Sequence, residues 1–260
     1  MEIIKAYLTQ NDCYKTAAKL TVVKGIVKHS TGVNNPNLLR YIGTNSTLGV
    51  NNGNNWNKPG VYKCVHFLIG KNAKGEVKCY QTLPLNYQCW GCGGGPKGSY
   101  NKTHIQYEIL EDGLTDKTYF TQAFALAREL DAYLCKMFNL KPSAIVSHSE
   151  AHKLGYASNH ADCDHWLKMF GRTMDMERAD VAKLLTPKPT PKPTPTTKTF
   201  RVQILVSALN VRKGPGILYK KVMVVRKNEI YTIVETKGSW GRLKSDAGWI
   251  NMSTNYVKKL

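Results

Sequence analysis

The run SHSEAHKLGYASNHADCDHW, residues 147–166, follows directly on a short apolar stretch, AIV at 144–146. Far upstream, in IVKHSTG (26–32), His29 stands just past a similar stretch, GIV at 25–27. Short apolar runs of this kind read as strands, and two strands that each end near an imidazole can aim both rings at one point from a rigid base. Asp162 lies close to His148 in the same run, so the pattern predicts a metal site built from two separated segments: His29, His148 and Asp162. Two His and one carboxylate make a catalytic kind of zinc shell, because three protein ligands leave the fourth tetrahedral position open to water. Cys163 rivals Asp162 for the third place, since thiolate also binds zinc well, and His152 and His160 compete.

Working outward, the apolar runs at 64–69 and 105–110 also read as strands bounded by Gly or Asn. Between 119 and 138, Phe120, Phe124, Ala127, Leu130, Leu134 and Phe138 recur at helical spacing, and Pro142 follows the end. Shorter helices are expected at 9–19, 37–42 and 175–184, which gives an α/β domain with helices packed on a central sheet. The stretch 44–59, dense in Asn and Gly around Trp56, is too polar for core and too long for a tight connection; it reads as a loop, either binding wall or plain surface. TPKPTPKPTPTT (186–197) can neither form a helix nor pair centrally in a sheet, and is expected to be a polyproline II spacer with a reach on the order of 40 Å. After it come FRVQILV, LNVRKGPG, KKVMVV, EIYTIVET, WGRLKS and GWINMS, short β-rich runs separated by turn signals that suggest a small antiparallel barrel. The expected organisation is therefore 1–185, a linker at 186–198, and 199–260.

The chain has 260 residues, enough to bury a core without staples. Its seven cysteines are odd in number and irregular in spacing, which argues for reduced thiols; Cys89-x-x-Cys92 has no second pair downstream to make a zinc ribbon. The formal charge of +19 calls for a polyanionic partner, and residues 199–260 hold 12 Lys+Arg against 3 Asp+Glu. No basic aromatic motif or basic helix face accompanies that charge, so nucleic acid is not expected as the partner. MEIIKAYLTQND lacks the pattern of a signal peptide, and no run reaches the roughly 18 apolar residues of a membrane span, so neither ordinary secretion nor membrane insertion is expected. Nothing in the sequence assigns an oligomeric state.

At these residues the first domain resembles the zinc-dependent N-acetylmuramoyl-L-alanine amidases shared by phage lysins, bacterial autolysins and peptidoglycan recognition proteins. The resemblance spans about residues 3–185 and implies a mixed central sheet flanked by helices. It places the first ligand at His29, the second at His148 in AIVSH and the third at Asp162 in HADCDHW, although Cys163-Asp164 stands where the family more often has Pro-Gly. NKTHIQYE (101–108) matches a family strand carrying a carboxylate. Strand alternation puts Gln106 and Glu108 on one face while Ile105 and Tyr107 pack opposite, so Glu108 could reach a metal-bound water. His66, in CVHFLIG (64–70), reads as a hydrogen-bonded core histidine. The family's placement of a Lys or His before the third ligand gives His160 the role of facing the reacting carbonyl, and Trp90 either lines a stem-peptide groove or is structural.

The implied activity is hydrolysis of the amide between N-acetylmuramic acid and L-alanine by zinc-activated water, with Glu108 and His160 as catalytic groups. The second domain resembles the bacterial SH3 domains of cell-wall hydrolases, on the strength of LNVRKGPG (209–216), Tyr219 and SWGRLKSDAGWI (239–250). That resemblance implies attachment to peptidoglycan and anionic wall polymers. The competing readings are a non-catalytic peptidoglycan recognition module and a zinc endopeptidase that cuts stem peptides. A lytic activity without a signal peptide points to a phage or prophage lysin, kept in the host cytoplasm until it is released to the wall.

Overall fold

In a computed structural model, residues 1–43, 55–186 and 199–260 are described, and the chain divides into two compact units, Met1–Pro187 and Lys188–Leu260. The spacer at 187–198 and the loop at 44–54 lie outside the described residues.

The first unit contains strands β1 (Ile3–Lys5), β2 (Gly25–Ser30), β3 (Phe67–Lys71), β4 (Val77–Gln81), β5 (His104–Ile109) and β6 (Ile145–Ser147). They form one mixed sheet in the order β1-β4-β3-β5-β2-β6, in which only the β3–β4 pair is antiparallel. Helices α1 (Asp12–Thr16), α2 (Leu39–Ile42), α3 (Lys117–Phe138), α4 (His148–Lys153), α5 (Asp164–Met169) and α6 (Met174–Leu185) flank it. The Asp116 side chain caps α3 by accepting from the Thr118 and Tyr119 amides, and Asn139 ends it in the left-handed region at φ 53°. The apolar stripe of α3 packs in the main core with Ile26, Phe67, Ile69, Ile105, Tyr107, Ile109 and Trp166. Strand alternation then turns Val27 and His29 of β2, and Gln106 and Glu108 of β5, to the opposite face.

Three expectations need correction. The helix expected at 9–19 is the five-residue α1: the Asn11 side chain accepts from the Cys13 amide at its start, and Ala17 ends it in the left-handed region at φ 49°. The strand expected at 64–69 begins only at Phe67, because Cys64 pairs instead with Trp90 in an isolated bridge. His29 does not follow β2 but lies within it, since the parallel pairing with β5 runs on to Ser30.

The second unit contains β7 (Phe200–Ile204), β8 (Ala208–Arg212), β9 (Lys221–Arg226), β10 (Ile230–Lys237), β11 (Trp240–Leu243), β12 (Trp249–Asn251) and β13 (Val257–Lys259). All its pairs are antiparallel, in the order β13-β7-β10-β11-β12-β8-β9, around a core that includes Val202, Ile204, Val211, Val225, Ile233 and Ile250. This all-β unit is consistent with an SH3-like barrel. Among the described residues no helix is long and apolar enough to cross a membrane.

Candidate metal centre

His29 sits on β2 and is buried, directly in register with Glu108 on the neighbouring β5. His148 opens α4 immediately after β6. A capping box holds that turn: Ser147 Oγ accepts from the Glu150 amide, and the Glu150 carboxylate accepts from the Ser147 amide. Asp162 stands on the segment leading into α5. The two imidazoles face each other through Nδ1 at 3.0 Å, and Asp162 Oδ2 lies 3.1 Å from His29 Nδ1. One ligand atom from each of the three residues falls within 4.8 Å of the others.

A hydrogen-bond relay fixes which ring nitrogens are bare. The Gly91 and Cys92 amides donate to Asn101 Oδ1 (3.0 and 3.1 Å), and the Gln106 amide nitrogen donates to the same oxygen at 3.0 Å. Gln106 Oε1 is thereby left to accept from His29 Nε2 at 2.9 Å, so the His29 proton is on Nε2 and the Nδ1 lone pair points inward. Ser158 Oγ donates to the Cys92 carbonyl (3.2 Å) and accepts from His148 Nε2 (3.3 Å), which leaves His148 Nδ1 bare as well. A Cβ at Gly91 would collide with Gln106 Oε1, so this relay requires glycine there. Two bare nitrogens and a carboxylate converging without a donor among them suit a cation, and their types fit zinc.

The remaining candidates separate cleanly. Cys163 is fully buried in the main core and is not among the three residues whose donor atoms converge. His152 bonds the Ala157 carbonyl at 3.1 Å instead. His66 is buried, accepts from the Gln106 amide and donates to the Tyr87 carbonyl; burial outweighs both bonds and lowers it to about 4. The paired Cys89 and Cys92 fall in different buried clusters.

A cleft of about 900 Å³ opens over His148 and Asp162, and His160, Glu108, Trp90 and Tyr62 also line it. The His160 side chain is 61% exposed, with its ring centroid 4.5 Å from that of His148. The Glu108 Oε2 atom is buried and has no hydrogen-bond partner. Burial, followed by the charges of Asp162 and Glu111, pushes this carboxyl well above the usual range, against the pull of Lys63. Trp90 is anchored by its backbone bridge to Cys64, and its ring stacks on that of Tyr62 at 6.3 Å. The sequence reading missed one cluster at the cleft: Glu111 Oε1 accepts from Ser30 Oγ (2.5 Å) and lies 3.0 Å from His165 Nε2. His165 falls within residues 147–166, but its partner Glu111 is placed by the turn after β5, which periodicity does not reveal.

Two buried histidines and a part-buried carboxylate at a cleft, beside a glutamate whose Oε2 is buried without a hydrogen-bond partner, define a candidate hydrolytic centre. Residues 19–165 match the N-acetylmuramoyl-L-alanine amidase family, and the chain belongs to that family. Among solved structures it resembles the Staphylococcus aureus hydrolase AmiA, crystallised with its ligand, at 18% identity over 71% of this chain and 83% of that one, with a TM-score of 0.51. It also resembles the catalytic domain of XlyA at 22% identity over 70% of this chain and 99% of that one, with a TM-score of 0.50. At these identities the likeness is one of fold. No curated protein matches the sequence significantly.

Proposed function

We propose that the chain is an endolysin that hydrolyses the amide bond between N-acetylmuramic acid and L-alanine in bacterial peptidoglycan, with His29, His148 and Asp162 holding zinc. The observation that carries this reading is the relay through Asn101, Gln106 and Ser158, which leaves both imidazoles bare at Nδ1 beside a carboxylate. Bound there, zinc would lower the pKa of a coordinated water to about 7 and polarise the scissile carbonyl.

The chain's own groups do the rest. Glu108, raised in pKa and with its Oε2 buried without a hydrogen-bond partner, takes the proton of the attacking water and later delivers it to the departing amine of L-alanine. His160, on the open side of His148, donates to the carbonyl oxygen as charge develops on it, an effect typically worth about 3 kcal/mol for a well-placed donor. Trp90 and Tyr62 form a wall against which substrate is oriented. The second unit acts as an SH3-type anchor on the wall, and its basic surface fits anionic wall polymers; tethering raises the local substrate concentration. As a lysin, the protein would wait in the host cytoplasm until released.

The test is turbidity loss and product analysis on purified peptidoglycan, comparing wild type, EDTA-stripped and zinc-restored protein with His29→Ala and Glu108→Ala. Free L-alanine amino termini without new reducing ends, lost in both variants and recovered with zinc only in stripped wild type, are the expected result. Wall binding without bond cleavage would leave a recognition protein, and new amino termini elsewhere in the stem would mark an endopeptidase.

A further inference from the structure

The loop joining β8 to β9 in the second unit holds itself in shape while sending aliphatic side chains into solvent. Arg212 Nη1 donates to the Tyr219 carbonyl and the Lys213 amide donates to the Lys220 carbonyl, both at 2.9 Å, closing the base of the loop. The Tyr219 ring lies against Gly214 and Gly216, and a Cβ at 214 would stand 2.5 Å from a ring carbon, so glycine is required for this seat. On the tip so formed, Ile217 is 72% and Leu218 96% exposed. Val222 and Met223, each 42% exposed on the edge strand β9, continue the apolar sequence. One exposed leucine on a protein surface is ordinary. Four large aliphatics within seven residues, of which the two at the tip take no part in the loop's own packing, need an explanation.

The charge around them is of one sign. Lys213, Lys220 and Lys221 flank the tip and are exposed, and among the described residues no carboxylate lies within ion-pair distance of them. The three acids of this unit are engaged elsewhere. Glu235 and Asp246 both accept from Arg242, while Glu229 accepts from the Arg226 amide and the Tyr231 hydroxyl.

We propose that this loop is a peripheral contact for an anionic lipid surface, with Ile217 and Leu218 entering between the headgroups and the lysines lying on lipid phosphates. A soluble phosphate polymer would satisfy the lysines and leave the aliphatic pair in water, whereas a leaflet of acidic lipid rewards both. The contact involves one leaflet and no span. It is independent of the amidase reading, because every residue it uses belongs to the second unit.

The experiment is co-sedimentation of the full-length protein with phosphatidylcholine vesicles and with mixed phosphatidylcholine–phosphatidylglycerol vesicles, alongside binding to soluble polyphosphate. Wild type should bind the mixed vesicles and not the neutral ones. Ile217→Ser/Leu218→Ser should bind them at least roughly tenfold more weakly while keeping its polyphosphate affinity. Lys220→Glu/Lys221→Glu should lose both. The serine substitutions fall on exposed positions, and an unchanged melting curve would exclude misfolding. Mixed-vesicle binding that survives the serine double variant would reduce the loop to a plain polyanion contact, and absence of vesicle binding by wild type would equally overturn the proposal.

Discussion

Lys28→Met should destabilise the first unit severely, although Lys28 lies in a strand that reads as apolar. Lys28 precedes His29 on β2 and so faces the other side of the sheet, where it is fully buried. Its ammonium lies 3.0 Å from Asp131 Oδ2 of α3 and 3.3 Å from Glu177 Oε2 of α6. Glu177 also receives Arg128 Nη1 at 3.1 Å and Arg172 Nε at 2.7 Å. Among the described residues Asp131 has, besides Lys28, only the Tyr107 hydroxyl, which donates to it at 2.8 Å. Removing the lysine therefore strands Asp131 far more than Glu177. Breaking a buried pair on one side costs about 3–5 kcal/mol, and the lower end applies here because Asp131 can take up a proton. At about 2–4 °C per kcal/mol for a unit of this size, the melting temperature should fall by about 6–12 °C at pH 7.

The pH dependence follows from the direction of the shift. Burial already pushes the Asp131 carboxyl up despite Lys28, and the variant removes that opposing charge. A carboxyl with a raised folded-state pKa is destabilising above its unfolded value and neutral in effect below it. The variant's deficit should therefore shrink as pH falls towards about 4. Calorimetry of the full chain, with the two units resolved as separate transitions, measures the effect. Lys28→Met/Asp131→Asn should recover most of the loss. A single variant within about 1 kcal/mol of wild type, or a double variant as unstable as the sum of the two singles, would refute the reasoning.

Other consequences concern the metal centre. Gln106→Leu should weaken zinc binding by about 10–100-fold, read by competition with a chromogenic chelator, because His29 loses the acceptor that fixes its tautomer. Asp162→Ala should lose zinc while Cys163→Ala retains it in the same titration; the opposite result would return the thiol to the ligand set. Glu108→Gln should cut turnover by about 10²–10⁴-fold with zinc affinity retained. In metal-free protein, Glu108→Gln should also melt higher than wild type at pH 7, with the gain fading below about pH 4, since the raised carboxyl costs stability only above its unfolded pKa.

The parts of the molecule that were legible in the sequence depend on local chemistry. The α3 stripe and Pro142 define a helix whose observed bounds, Lys117–Phe138, begin two residues before the expected start because Asp116 caps it. Alternation along NKTHIQYE places Gln106 and Glu108 on one face, and that face carries the cleft. What stayed hidden depends on distant partners. The part Gln106 plays is decided by Asn101, whose orientation is decided in turn by the amides of Gly91 and Cys92. Nothing local in IVKHSTG announces the part Lys28 plays, because the acids it meets lie 103 residues away at Asp131 and 149 away at Glu177. The three-residue strands β1 and β13 were too short to carry a periodic signal.

The donors of the candidate centre are separated by 119 residues between His29 and His148, and by 133 between His29 and Asp162. During synthesis, therefore, no complete donor set exists until the chain has been made past position 162, and products cut short before that point never acquire one. The parallel pair β2–β6 must also have formed, because it brings the two donor-bearing segments side by side. Capture of an ion by this set would thus come late in the life of the nascent chain and would report that β2 and β6 have paired.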